Sequence, residues 1–386
     1  MRVIQCAAYG GPYSGSFVPM LASVAREAGA RGYPTTVLLA EVARGRPWLS
    51  ELDGLAEVRF IHAPDSRVAG VHPTMQAFES ALGAGREPAV IHTHFGMFDI
   101  PAALMRLRRR RLAVFWHEHT ILLDDPHTRM RNTLRYAILG RLVSGILCVS
   151  PELRAELRAR HAPEQKLHDF PNAIDTTRFP LIVDADRAAA RRSLGLPERA
   201  RVILHFGWSW EIKGGDLMLA AAELLRGQDD LIVLTVLGED RVRHPGLDDN
   251  PIVRPIAPTD DVRGLYAACD VFLSCSRAEG APLAVLEALA CGLPVVATDL
   301  PIHRRLLEGL PGAVTVGAVP AAVADGITTM LSLDGEQRQQ HAELARARID
   351  ASFALDAWAR RAVDLYERAT GSRTAARSGD RARNGE

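Results

Sequence analysis

Short apolar runs alternate with amphipathic stretches along nearly the whole chain. The runs VIQCAA (3–8), TTVLLA (35–40), VRFIHA (58–63), AVIHTH (89–94), LAVFWHEH (112–119) and GILCVS (145–150) are almost continuously apolar and rich in Val, Ile and Phe. Such runs predict strands buried on both faces. The helical stretches between them, such as 17–32, predict the right-handed crossovers of a parallel sheet. The rhythm restarts after residue 200 with RVILHFG (201–207), LIVLTVLG (231–238), PIVRPIA (251–257), VFLSCS (271–276) and PVVATD (294–299). The pattern predicts an α/β protein of two doubly wound domains facing across a cleft. The first takes residues 1–175 and the second 176–352, with a hinge in 171–200. Residues 353–370 read as one amphipathic helix. The polar, Arg-rich stretch 371–386 has no period and reads as a disordered tail.

Composition narrows the function. The chain has 386 residues, 47% apolar and 24% charged, as in soluble globular proteins. Its 46 basic and 46 acidic residues cancel, which argues against a nucleic-acid partner. No apolar run approaches the ~18 residues of a membrane span. The opening MRVIQCAAYGG reads as a first buried strand, not a signal peptide. Five scattered cysteines in apolar surroundings read as reduced thiols of a cytoplasmic protein. All but two of the basic residues are arginine, so Lys166 and Lys213 each need a reason. Arg106 and Arg108–Arg111 form a basic run at a predicted helix end, where cations complement the helix dipole. A patch for an anionic acceptor or a peripheral membrane contact is the minority reading of that run.

Candidate chemistry gathers in SRAEGAPLAVLEALACGLPVVATD (276–299). Glu279 ends a loop after a predicted strand, and Gly280 lets backbone approach a ligand. Pro282 suits a first helical turn, with Ala281 and Leu283 beside it, and Gly292 suits the helix stop. Glu287 lies two helical turns beyond Glu279, near the same face. The helix start offers N–H groups and a positive field to an anion, flanked by two carboxylates that accept hydroxyl donors. That combination suits a sugar diphosphate. Lys213, among glycines in a strand-to-helix loop, suits a phosphate oxygen as a compact point charge.

The two glutamates, followed by A-x-A-C-G-L-P-V-V-A-T, closely resemble the signature of family-4 retaining glycosyltransferases with the GT-B fold. LHFGWSWEIKGGD (204–216) is similar to that family's glycine–lysine loop, and DFPNAIDTTRF (169–179) to its P-N-G-I-D segment. The resemblance covers most of 89–370 and is strongest in 201–300. It implies two Rossmann-like domains, the N-terminal one binding the acceptor and the C-terminal one the nucleotide sugar. The helix 353–370 would cross back to the N-terminal domain. Glu279 would contact hydroxyls of the donor sugar, Glu287 the ribose and Lys213 the diphosphate. Gly207, Gly280, Ala281, Pro282 and Leu283 would line the donor, and backbone near Arg254 would edge the base. The chain departs from the family where an arginine usually follows the loop's first glycine and Trp208 stands here. Arg277 is a candidate substitute, and Trp208 is placed either to stack on ligand or to pack.

In the N-terminal half, AVIHTH and LAVFWHEH both end in His-x-His, so alternation puts His92 with His94 and His117 with His119 on common faces. Within the resemblance, either His117 or His119 would face the reacting sugar, with His119 nearer the strand's mouth. Asn172 in PNAID is a turn former or a cleft residue. Gly15, in the loop GGPYSGS (10–16), would approach the donor, or the loop is a tight turn with Ser14 or Ser16 capping the next helix. Asp184 and Asp186 resemble a D-x-D metal motif but read as solvated acids. The reading is transfer of a sugar from a nucleotide-diphosphate donor to a hydroxyl of a glycan, lipid or small molecule. It proceeds with retention, without metal and without a bound cofactor. The alternatives are a metal-dependent hydrolase using the four histidines, and a nucleotide-sugar-binding protein or epimerase on the same fold.

Overall fold

The computed structural model describes residues 1–61, 70–85, 87–120, 122, 126–228, 230–238, 244 and 246–372, without the side chains of 126 and 127. Within them the chain divides into two compact units. One comprises Met1–Asn172 and the chain from Leu355 onward, the other Ala173–Ala354.

The first unit is built on seven strands: Arg2–Ala7 (β1), Thr35–Ala40 (β2), Glu57–Ile61 (β3), Ala89–His94 (β4), Leu112–Glu118 (β5), Gly145–Cys148 (β6) and Leu167–Asp169 (β7). All pair in parallel, in the order β3-β2-β1-β4-β5-β6-β7. Strands β1, β2, β4, β5 and β6 are buried along almost their whole length, which explains their unbroken apolar composition. The predicted run 58–63 extends past Ile61 into residues outside the described ones. Helix Leu355–Thr370 belongs to this unit and packs on helix Phe17–Ala30. Arg31 binds Asp364 at 2.6 Å and Glu367 at 3.2 Å. Residues 373–386, most of the proposed tail, lie outside the described residues.

The second unit repeats the plan with Arg201–Phe206 (β8), Leu231–Val236 (β9), Val253–Ile256 (β10), Val271–Ser274 (β11), Val295–Thr298 (β12) and Ala313–Val316 (β13). Their order is β10-β9-β8-β11-β12-β13, again all parallel. Two strands escaped the sequence reading. Both β7 and β13 are short edge strands, and β13 is only half-buried, so neither has a long apolar run.

In each unit the strand order reverses beside the first strand, between β1 and β4 and between β8 and β11. Loops leaving the carboxyl ends of such neighbours diverge to opposite faces and open a crevice there. In the second unit those loops are 207–214 and 275–282. In the first they are 8–16 and 95–98.

Candidate functional site

Loop 207–214 brings Lys213 to the crevice. A single helical turn, Trp210–Lys213, ends at Gly214, whose φ of +67° is left-handed. A Cβ there would lie 2.1 Å from the Cys275 carbonyl oxygen, so only glycine lets the two loops pass. His205 Nε2 donates to the Lys213 carbonyl at 3.1 Å while Nδ1 accepts from Thr235 Oγ1 at 3.0 Å. Burial pushes the His205 imidazole down to about 4, which keeps it neutral in that role.

Loop 275–282 supplies the counter-charge. Lys213 Nζ meets Glu279 Oε1 at 2.7 Å, with both side chains largely covered. Ser276 Oγ donates to the same oxygen at 2.6 Å. Lys213 also sits 4.9 Å from the ring centre of Trp208, whose indole is 59% exposed. An ammonium carries three donors, so the Glu279 bond leaves two N–H groups for other acceptors. Helix Leu283–Ala290 starts beside this pair. Its N-cap residue is Pro282, no side chain caps it and its first turn carries no acid. Among the described residues, the positive end of the helix dipole therefore has neither a side-chain cap nor an acid in its first turn. Gly292 (φ +76°) closes the helix.

Two geometric expectations change. Because the helix begins at Leu283, Glu279 lies on the loop, and the seven intervening residues are not two helical turns. Glu287 lies inside the helix, 7% exposed, with Tyr266 Oη 2.8 Å from its Oε2. Arg277, the candidate to replace the missing loop arginine, is committed elsewhere. Its guanidinium grips Asp216 at 2.6 and 2.8 Å and donates to the Glu211 carbonyl. It serves as a strap between the two loops. Among the described residues, no hydrogen bond or ion pair joins Arg254, exposed on edge strand β10, to the Lys213–Glu279 group. Gly207 packs under Trp210, where a Cβ would lie 3.3 Å from the ring.

In the first unit, the histidines converge. His94 Nδ1 lies 2.9 Å from His119 Nε2, and His119 Nδ1 lies 3.0 Å from Asn172 Oδ1. His92 Nδ1 meets Tyr366 Oη at 2.5 Å. His117 is buried in β5 against Phe170 and Trp358, whereas His119 stands just past the strand end, beside Phe17 and Phe95. Burial pushes His92 and His119 down to about 3 and holds His94 and His117 well below the usual imidazole range. Ring nitrogens of His92, His94 and His117 lie within 4.8 Å of one another, the only such group among the described residues. Two nitrogens on one tetrahedral zinc stand about 3.4 Å apart, a separation that falls inside this limit. Around Gly15 (φ +53°), Ser16 occupies the N-cap position of helix Phe17–Ala30 without a side-chain cap bond. Asp184 and Asp186 lie in the first turn of helix Asp184–Ser193, and Asp186 pairs with Arg263 at 3.0 Å. The five cysteines are free and buried.

Sequence reasoning missed Ser276, Tyr266, His205 and the buried group Asp99–Glu118–Arg135. Ser276 was legible as the polar end of an apolar strand. His205 supports Lys213 from 8 residues away, whereas Tyr266 lies 21 residues from Glu287 and Arg135 lies 17 and 36 from Glu118 and Asp99.

A chain of two parallel α/β units, each with a crevice at its reversal point, has the GT-B architecture of glycosyltransferases. The structure of sucrose-phosphate synthase from Thermosynechococcus elongatus superposes with a TM-score of 0.79 at 17% identity, covering 97% of this chain and all of that one. HepE from Anabaena in complex with UDP-glucose gives 0.78 at 19% identity, over 95% of this chain and all of that one. Residues 20–178 match the domain described as glycosyltransferase family 4, and residues 200–333 the domain described as glycosyl transferases group 1. The chain belongs to this glycosyltransferase family. It is 32% identical over 247 residues to D-inositol 3-phosphate glycosyltransferase from Xylanimonas cellulosilytica, covering 60% of this chain. It spans 59% of that relative's length.

Proposed function

We propose that the protein transfers a sugar from a nucleotide-diphosphate donor to an acceptor hydroxyl, with retention at the anomeric carbon and without a metal in the transfer step. The observation that carries the reading is Lys213. It sits at a reversal point of the second sheet, held by Glu279, beside a helix start that, among the described residues, has no side-chain cap and no acid in its first turn. Departure of a nucleoside diphosphate builds negative charge on phosphate oxygens. The two remaining Lys213 N–H groups and the helix end are placed to receive it, which is the task a divalent cation would otherwise perform. Glu279 accepts hydroxyls of the donor sugar, and Glu287, oriented by Tyr266, accepts those of the ribose. In the first unit, His119, oriented by Asn172, is the candidate to meet the reacting sugar, with the acceptor placed by that unit. The leaving phosphate takes the acceptor proton, so no side-chain nucleophile is required. UDP-sugars are the first donors to test, since HepE was solved with UDP-glucose. Phosphorylated polyols are the first acceptors to test, given the inositol-phosphate relatives.

Two variants test the site. Glu279→Ala is expected to lower transfer by at least about a hundredfold with nucleotide affinity within about threefold, because the carboxylate acts on the sugar. Glu287→Ala is expected to weaken the nucleotide about tenfold, the value of one charged hydrogen bond. Unchanged turnover in both would overturn the reading. The histidine group favours a second reading, a metal-dependent hydrolase. Loss of all activity on chelation, restored by zinc, would select it.

A further inference from the structure

Helix Pro126–Ile138 is folded inside out. Its buried side carries polar groups: Asn132 and Arg135 are 4% and 7% exposed, beside the fully buried Tyr136. Arg135 is held there by Asp99 at 2.6 Å, by Tyr136 Oη at 2.8 Å and by Glu118. Its outer side is apolar: Met130, Leu134 and Ile138 are 63%, 53% and 58% exposed. Spaced by four, they form one stripe along the helix. Scattered exposed leucines need no explanation, but an apolar stripe opposite a buried guanidinium reverses the pattern that water favours. The stripe is edged by exposed Arg129, Arg131 and Arg141, and no acid occurs from residue 126 through 151. The neighbouring helix, Asp99–Arg108, packs on the turn Leu139–Arg141. It adds exposed Leu107 and leads to exposed Arg110 and Arg111, past Arg108, which pairs with Glu79 at 2.7 Å, and Arg109, which donates to the Gly83 and Gly85 carbonyls.

We propose that this face docks the protein on an anionic phospholipid bilayer. Met130, Leu134 and Ile138 enter the boundary between headgroups and acyl chains. The arginines engage lipid phosphates, a planar fork meeting an oxyanion. Charge decides the occupant. A second copy of this chain would bring the same basic face against itself across a two-fold axis, and like charges would repel.

Vesicle co-sedimentation with the full chain tests the proposal and needs neither donor nor acceptor, so its outcome is separate from that of the transfer reading. Binding to mixed phosphatidylcholine–phosphatidylglycerol vesicles is expected to exceed binding to phosphatidylcholine alone by at least about tenfold and to fall steeply with salt. Leu134→Asp is expected to weaken it about tenfold with an unchanged melting temperature. Leu224→Asp, at an equally exposed leucine in the second unit, is expected to leave it unchanged. Equal binding to both vesicle types, no binding to either, or equal effects of the two substitutions would overturn the proposal. So would a dimer in light scattering that Leu134→Asp dissolves while vesicle binding is absent.

Discussion

Lys213 is one of two lysines in a chain that otherwise uses arginine, and its surroundings show why. The ammonium fits beneath the Trp208 indole and against one Glu279 oxygen, both within 5 Å. A guanidinium is longer, planar and prefers two parallel acceptors. Lys213→Arg is therefore expected to lower kcat/KM for transfer by at least about tenfold while the melting temperature stays within about 2 °C, the charge being kept but its point of action moved. Equal activity would mean that any cation suffices there. Glu279 and Lys213 were both legible in the sequence, one from its loop-and-helix setting and one from arginine bias. Their direct contact was not, since 66 residues separate them.

Among elements, the loop 207–214 depends on a backbone conformation. Gly214 combines a left-handed φ with a near-contact to Cys275, and Gly215 lies so close to Trp210 that a Cβ would fall 2.3 Å from its ring. Gly214→Ala is expected to cost about 2–3 kcal/mol of stability in the second unit and to displace Lys213, lowering activity beyond what the lost folded fraction explains. Urea unfolding paired with activity on the folded fraction separates the two effects. Most strands and helices followed directly from the apolar runs. Where an element is short and at a sheet edge, as β7 and β13 are, its pairing partner decides its conformation, and local pattern carries little signal. The start of helix Leu283–Ala290 was misplaced for a related reason. Pro282 is compatible with a first helical turn and with an N-cap, and its ψ of +79°, outside the helical range, makes it the N-cap.

At the scale of the whole molecule, the first unit couples stability to pH. Folding takes four imidazoles out of water: His92 and His119 are pushed to about 3 by burial, and His94 and His117 lie lower than usual for the same cause. The unfolded chain then binds more protons than the folded one below about pH 6.5. The stabilisation is complete above that value and is lost as pH falls toward 3. Asp99 acts in the opposite sense. Burial raises its carboxyl to about 7 despite Arg135, so the folded state keeps a proton that the unfolded state releases, and stability declines as pH rises from about 4 to 7. Four imidazoles outweigh one carboxyl. Acidification from pH 6.5 to 5 is expected to lower stability by up to about 4 kcal/mol per pH unit, read from urea midpoints of tryptophan fluorescence, and His117→Gln is expected to flatten the slope by about a third. A pH-independent midpoint would contradict the closed histidine group.

The order of apolar runs alone determined two doubly wound sheets and the loops in which a donor site would lie, because burial on both faces writes itself into local composition. The glutamates, the lysine and their glycines were likewise readable, since each obeys a short-range rule of turn or helix chemistry. Tertiary structure decided the rest. It paired Lys213 with Glu279, gave Arg277 to Asp216, set Tyr266 against Glu287 and turned a helix so that its arginine faces inward and its leucine outward. Those choices depend on which distant segments share a sheet edge, and no local pattern encodes that adjacency.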